Sequence, residues 1–136
     1  MELREKFKTL CEMFWTEKGY KKTSIKVLCD SAGVSIGTFY SLYPTKEDLF
    51  LETILHIQEQ QMKEFYKRCY DTPTKGGFIE AIKWLFQKYN EHPLLFMEGS
   101  ADFQAFVTKL PAETMEKIKI DSLSFFYGRL ILQNFI

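Results

Sequence analysis

Apolar residues recur at intervals of three and four along most of the chain, the spacing of helices with one buried face. Between Leu3 and Lys18 the positions Leu3, Phe7, Leu10, Cys11, Phe14 and Trp15 form such a face, and Gly19 is placed to stop the helix. A short second helix follows Ser24, a good N-cap, carries Ile25, Leu28 and Cys29 inward, and ends near Ala32-Gly33. Ser35 caps a third helix of eight residues, Ile36 to Tyr43, which Pro44 terminates. Thr45-Lys46-Glu47-Asp48 has capping-box spacing, with Asp in place of the usual Glu. It opens a long fourth helix to about Tyr70, with Leu49, Leu51, Ile54, Leu55, Met62 and Phe65 to bury.

The segment from Asp71 to Gly77 is the clearest break in the pattern. Beyond it the spacing predicts helices from Phe78 to Asn90, from Leu94 to Leu110 and from Ala112 onward. No period-two alternation and no internal repeat interrupts this pattern, so the expected fold class is all-α. The last residues, Leu130 to Ile136, form an apolar helix-like run without a cap, which is read as a helical region that is truncated.

Composition narrows the chemistry. Apolar residues make up 46% of the 136 and aromatics 16%, enough for a packed core and too much for a disordered chain. Lys and Arg number 18 against 18 Asp and Glu, so any nucleic-acid footprint is built by arranging charge rather than by excess. Residues 1–46 hold eight basic against five acidic residues, and the stretch Lys18, Lys21, Lys22, Lys26 contains no acid. The three cysteines, Cys11, Cys29 and Cys69, have no C-x-x-C spacing and read as small buried thiols; neither a disulfide framework nor a metal site is expected. No nucleophile elbow, phosphate loop or H-E-x-x-H pattern is present, so an enzyme is not expected, nor a cofactor.

The informative stretch is 24–46. Two short helices joined by a tight turn with Gly33, the second followed at once by Pro44, make a helix-turn-helix signal. Val34, Phe39 and Leu42 are expected to lock the third helix onto the second and onto Phe14 or Trp15. The opposite face then holds Ile36, Gly37, Tyr40 and Ser41, with Thr38 at its edge. A rod with such a face suits the major groove of DNA. The run Ala32-Gly33-Val34-Ser35-Ile36-Gly37-Thr38-Phe39-Tyr40, with Lys46-Glu47-Asp48-Leu49 after it, resembles the DNA-binding segment of the tetracycline-repressor-like (TetR) transcriptional regulators. The match covers about residues 5–55. Cys29, Leu42 and Tyr43 depart from the family's usual residues, and none of the three removes a DNA-facing group.

The resemblance implies residues 1–48 as a three-helix DNA-binding domain, with the helix-turn-helix at about 24–43. It implies residues 49–136 as a helical ligand-binding and dimerisation region, incomplete at its C-terminus. It also implies a cytoplasmic bacterial regulator, a homodimer on a double-stranded operator, most simply a repressor released by a small hydrophobic or amphipathic effector. A truncated, weakly DNA-binding helical interaction module is the alternative. Ser24, Ser35, Gly37, Tyr40 and Lys46 are the candidates for positioning on the backbone: Gly37 by allowing close approach, Tyr40 and Lys46 by meeting phosphate. Lys26, Ile36, Thr38 and Ser41 are candidates for base edges, Lys26 toward guanine, Ile36 and Thr38 toward a thymine methyl. For an effector the candidates are Trp84, Phe86, Tyr89, Phe96, Phe103 and Phe106, although aromatics at helical spacing are more often core. Glu98 and Asp102, one turn apart, suggest a site for a cation or an exposed acidic edge.

Overall fold

The computed structural model describes residues 2–91 and 101–114, and its helices follow the hydrophobic pattern closely. In chain order they are α1 (Leu3–Lys18), α2 (Ile25–Ala32), α3 (Ile36–Leu42), α4 (Lys46–Asp71), α5 (Lys75–Glu91) and α6 (Ala101–Val107). No strand occurs among the described residues. Of the helix expected over 94–110, the part from Ala101 is seen and closes at Val107; only residues 112–114 of the last expected helix are described.

Three boundaries follow from side chains that satisfy the free N–H groups of a helix start. Ser24 Oγ accepts from the Val27 N–H and Ser35 Oγ from the Thr38 N–H. At α4, Thr45 accepts from the Asp48 N–H while the Asp48 carboxylate accepts from the Thr45 N–H, the complete capping box. Two boundaries that differ from the expectation have a local cause. The third helix has seven residues rather than eight, because Tyr43 precedes Pro44 and is extended (φ −131°, ψ 122°). The fifth begins at Lys75, three residues before Phe78, because the Gly77 N–H bonds to Thr74 Oγ1 at 3.0 Å and starts the helix through both glycines.

Two apolar clusters hold the chain. The first joins Phe7, Cys11 and Trp15 of α1 to Leu28 and Cys29 of α2, Phe39 of α3, Leu49, Phe50, Ile54 and Ile57 of α4, and Phe106 of α6. The second, smaller one joins Phe65 and Cys69 of α4 to Phe78, Ala81 and Leu85 of α5. The long α4 thus belongs to both. Phe39 packs edge-on against Phe7 at 5.4 Å and beside Tyr43 at 5.4 Å, rather than on Phe14 or Trp15 as expected. Trp15 is covered instead by Phe50 (4.8 Å) and by Phe103 and Phe106 of α6 (6.2 and 5.1 Å). All three cysteines are buried and free, and burial pushes the Cys11 thiol up to about 12.

Candidate nucleic-acid interface

The turn between α2 and α3 depends on Gly33, whose φ of 74° lies in the left-handed region. Its N–H closes α2 on the Asp30 carbonyl, and the Val34 N–H bonds to the Cys29 carbonyl at 3.1 Å. Lys6 of α1 reaches across to the Ala32 carbonyl at 3.0 Å, placing a cation at the negative end of α2. Phe39 is fully buried, so α3 is fastened by its inner face and turns the other outward.

On that outer face Ile36 is 47% and Tyr40 50% exposed, high values for side chains of their size. They are four positions apart and therefore stand one above the other along the helix. Gly37 lies beside them, and a Cβ there would meet nothing closer than Ser35 Oγ at 3.8 Å, so the helix backbone is open to approach. Ser24, Lys26, Ser35 and Ser41 are exposed, and Thr38 is half-buried. Six of the nine candidate positions thus lie on α3 or at its N-cap, while Ser24 and Lys26 lie at the start of α2.

Lys46 is the ninth, and it is oriented differently. Its ammonium turns inward to the Tyr20 carbonyl at 2.7 Å and lies over the Tyr20 ring at 4.1 Å. Desolvation lowers its pKa, against the pull of the nearby Glu47 and Asp102 carboxylates. The expectation of a solvent-facing cation poised for phosphate is thus corrected: here Lys46 braces the α1–α2 turn. Lys26 is also engaged, with its ammonium 3.3 Å from the Asp30 carboxylate across one helical turn.

The same turn receives the residue that sequence reasoning misplaced. Asp102, expected at an exposed acidic edge or a cation site, accepts the Tyr20 N–H at 2.7 Å and the Lys21 N–H at 3.0 Å. Gly19 makes room for it: a Cβ there would stand 2.8 Å from the Asp102 carboxylate. The Tyr20 hydroxyl donates to Glu47, and Thr23 Oγ1 donates to the Gly19 carbonyl at 2.8 Å, which ties the turn on every side. Burial and the neighbouring Glu47 raise the Tyr20 pKa. Nothing local announces this pairing, since the partners are more than 80 residues apart; Gly19, read only as a helix stop, was its one trace.

The six aromatics expected around an effector are divided. Phe103 and Phe106 belong to the first cluster and pack on Trp15. Trp84 sits against the second cluster with the Arg68 guanidinium 4.7 Å from its ring centre. Phe86 is 56% exposed. Phe96 and the side chain of Tyr89 lie outside the described residues, as does Glu98. A single pocket shared by Trp84, Phe86, Phe103 and Phe106 is therefore not what the fold builds. Among the described residues no group of three or more His, Cys, Asp or Glu is arranged to hold a metal, and no helix is long and apolar enough to cross a membrane.

Residues 12–53, from the middle of α1 through the first two turns of α4, match the model of the bacterial regulatory proteins of the tetR family. An uncharacterized HTH-type transcriptional regulator of Bacillus subtilis (strain 168), YuxN, is 25% identical over 141 residues, an alignment that covers 95% of this chain and 46% of the relative. The chain thus spans less than half the length of that curated relative.

Proposed function

Because residues 12–53 match the model of the bacterial regulatory proteins of the tetR family, we propose that the chain regulates transcription by inserting α3 into the major groove of duplex DNA. The observation that carries this reading is the contrast along one helix: Phe39 is wholly buried while Ile36 and Tyr40, on the other side, are half exposed. A monomeric enzyme has no need of such a bared apolar stripe. A groove about 12 Å wide accepts it. Ser24, Ser35 and Tyr40 would fix the helix on the sugar-phosphate backbone, and Gly37 would allow the close approach.

The reading extends to a homodimer on a near-palindromic operator, with α3 helices about 34–36 Å apart, and to repression relieved by a small effector bound in the helical region after α4. Two contacts support that last step. The Asp102 carboxylate and the Phe106 ring grip Tyr20 in the turn that leads into α2, so a displacement of α6 would act directly on the α2–α3 pair.

The test is binding of the 136-residue chain to labelled duplex DNA, followed by fluorescence anisotropy across a salt series. Binding that weakens steeply with salt, and that weakens further for Tyr40→Ala while the helical circular dichroism and melting midpoint hold, is the expected result. Equal affinity of the Tyr40→Ala and unaltered chains would remove α3 from the interface.

A further inference from the structure

The strongest readers of base edges in the major groove are chemically specific. Arg and Lys pair with guanine, Asn and Gln with adenine, and Asp and Glu accept from cytosine. Between Ser31 and Thr45 this chain has none of them, and no His either. The serine and threonine hydroxyls at α3 are already employed, and the exposed Tyr40 hydroxyl is the one assigned above to the sugar-phosphate backbone. Ser35 Oγ accepts the Thr38 N–H at 3.2 Å and lies 3.0 Å from Thr38 Oγ1, and Ser41 Oγ donates to the Thr38 carbonyl at 2.6 Å. The two nearby cations are committed too, Lys26 to Asp30 and Lys46 to the Tyr20 carbonyl. With Tyr40 given to the backbone, what the outer face offers to a base edge is the aliphatic side chain of Ile36, with Gly37 beside it letting the backbone come close.

Resting on the α3 reading proposed above, we infer that Ile36 is the specificity-determining residue and that it recognises the C5-methyl group of thymine. The target is therefore a half-site with A·T pairs where the start of α3 enters the groove. The thymine methyl is the apolar group displayed on that groove's floor. An isoleucine pressed against it removes water from two hydrocarbon surfaces at once, whereas against a cytosine amine or a guanine carbonyl it would strip water from a polar group and return no hydrogen bond. Discrimination of this kind is modest per contact. Burying one methyl-sized group corresponds to about a fourfold change in affinity.

The experiment is selection from a pool of random-sequence duplexes by the 136-residue chain, followed by replacement of each thymine in the enriched site with deoxyuridine, which deletes only the methyl. The inference expects an A·T-rich enriched core. It further expects one or two thymines whose replacement weakens binding about fourfold, and loss of that penalty in Ile36→Ala. Indifference to deoxyuridine everywhere, a G·C core under α3, or a penalty that persists in Ile36→Ala would each overturn it. DNA binding without sequence enrichment would also overturn it, while leaving α3 as a DNA-binding element. Absence of binding to any duplex would remove the function proposed above and this inference together. The deoxyuridine arm alters the DNA alone, so it reads out even if a protein variant folds poorly.

Discussion

Two glycines that look alike in the sequence have different jobs. Gly33 adopts a left-handed conformation, and a Cβ there meets nothing within 4 Å, so Gly33→Ala carries only the conformational cost of about 1–2 kcal/mol. Gly19 sits at φ 89° and ψ 171°, in a region that is essentially glycine's alone, with Asp102 against it. Gly19→Ala should therefore lose about 3 kcal/mol, near the top of the range for that conformation, and in addition displace the carboxylate. Urea denaturation of the two variants checks the order; equal losses would mean that Asp102 yields freely. At this scale the exposed face of α3 was legible because exposure on a short helix follows from which positions its partners bury. The orientation of Lys46 was not. A lysine in the first turn of α4 has nothing in its own neighbourhood to show that the Tyr20 carbonyl, 26 residues earlier, will receive it.

At the scale of elements, the caps are the part of the design that the chain states openly. Ser24→Ala and Ser35→Ala each remove an acceptor from a helix start and should cost about 1 kcal/mol, with Gly in the same places costing only a few tenths. Ser35→Ala carries a second expectation, because α3 has only seven residues and makes little helix by itself. Loss of its cap should loosen the first turn, which exchange of the Thr38 amide with deuterated solvent will register as a faster rate. Helix positions were legible for the same reason: caps and apolar spacing agree from α1 to α4. The start of α5 was misread because Gly76-Gly77 suggests a turn. Gly77 is instead required by closeness, since a Cβ there would lie 1.9 Å from the Thr72 carbonyl oxygen, while Thr74 supplies the start signal.

For the molecule as a whole, alkaline pH is the revealing variable. Cys11, Cys29, Tyr20 and Tyr43 all have pKa values raised above their ordinary 9.0 and 10.0, chiefly by burial. From about pH 9 the unfolded chain releases these protons while the folded one retains them, so the folded form binds more protons and its stability falls as pH rises. Lys46, whose pKa is lowered by burial, acts in the opposite sense, one group against four. A urea midpoint that drops between pH 8.5 and 11, accompanied by a late rise in tyrosinate absorbance, is the expected result; a flat midpoint would contradict it. The break at Asp71–Gly77 was legible as a change of helix, yet the two apolar clusters part within α4, because contacts between distant segments leave no periodic trace.

Phe106 and Asp102 complete a core that otherwise belongs to the first 57 residues. The helix-turn-helix portion therefore relies on α6 for part of its core. Excised at the limit of the matched segment, or anywhere before α6, it would bare the indole of Trp15 and leave the Tyr20 and Lys21 amides to water. Such a fragment should melt well below the 136-residue chain. Adding α6 back as a separate peptide should recover part of the difference, since the missing piece contributes surface and acceptors rather than chain connectivity.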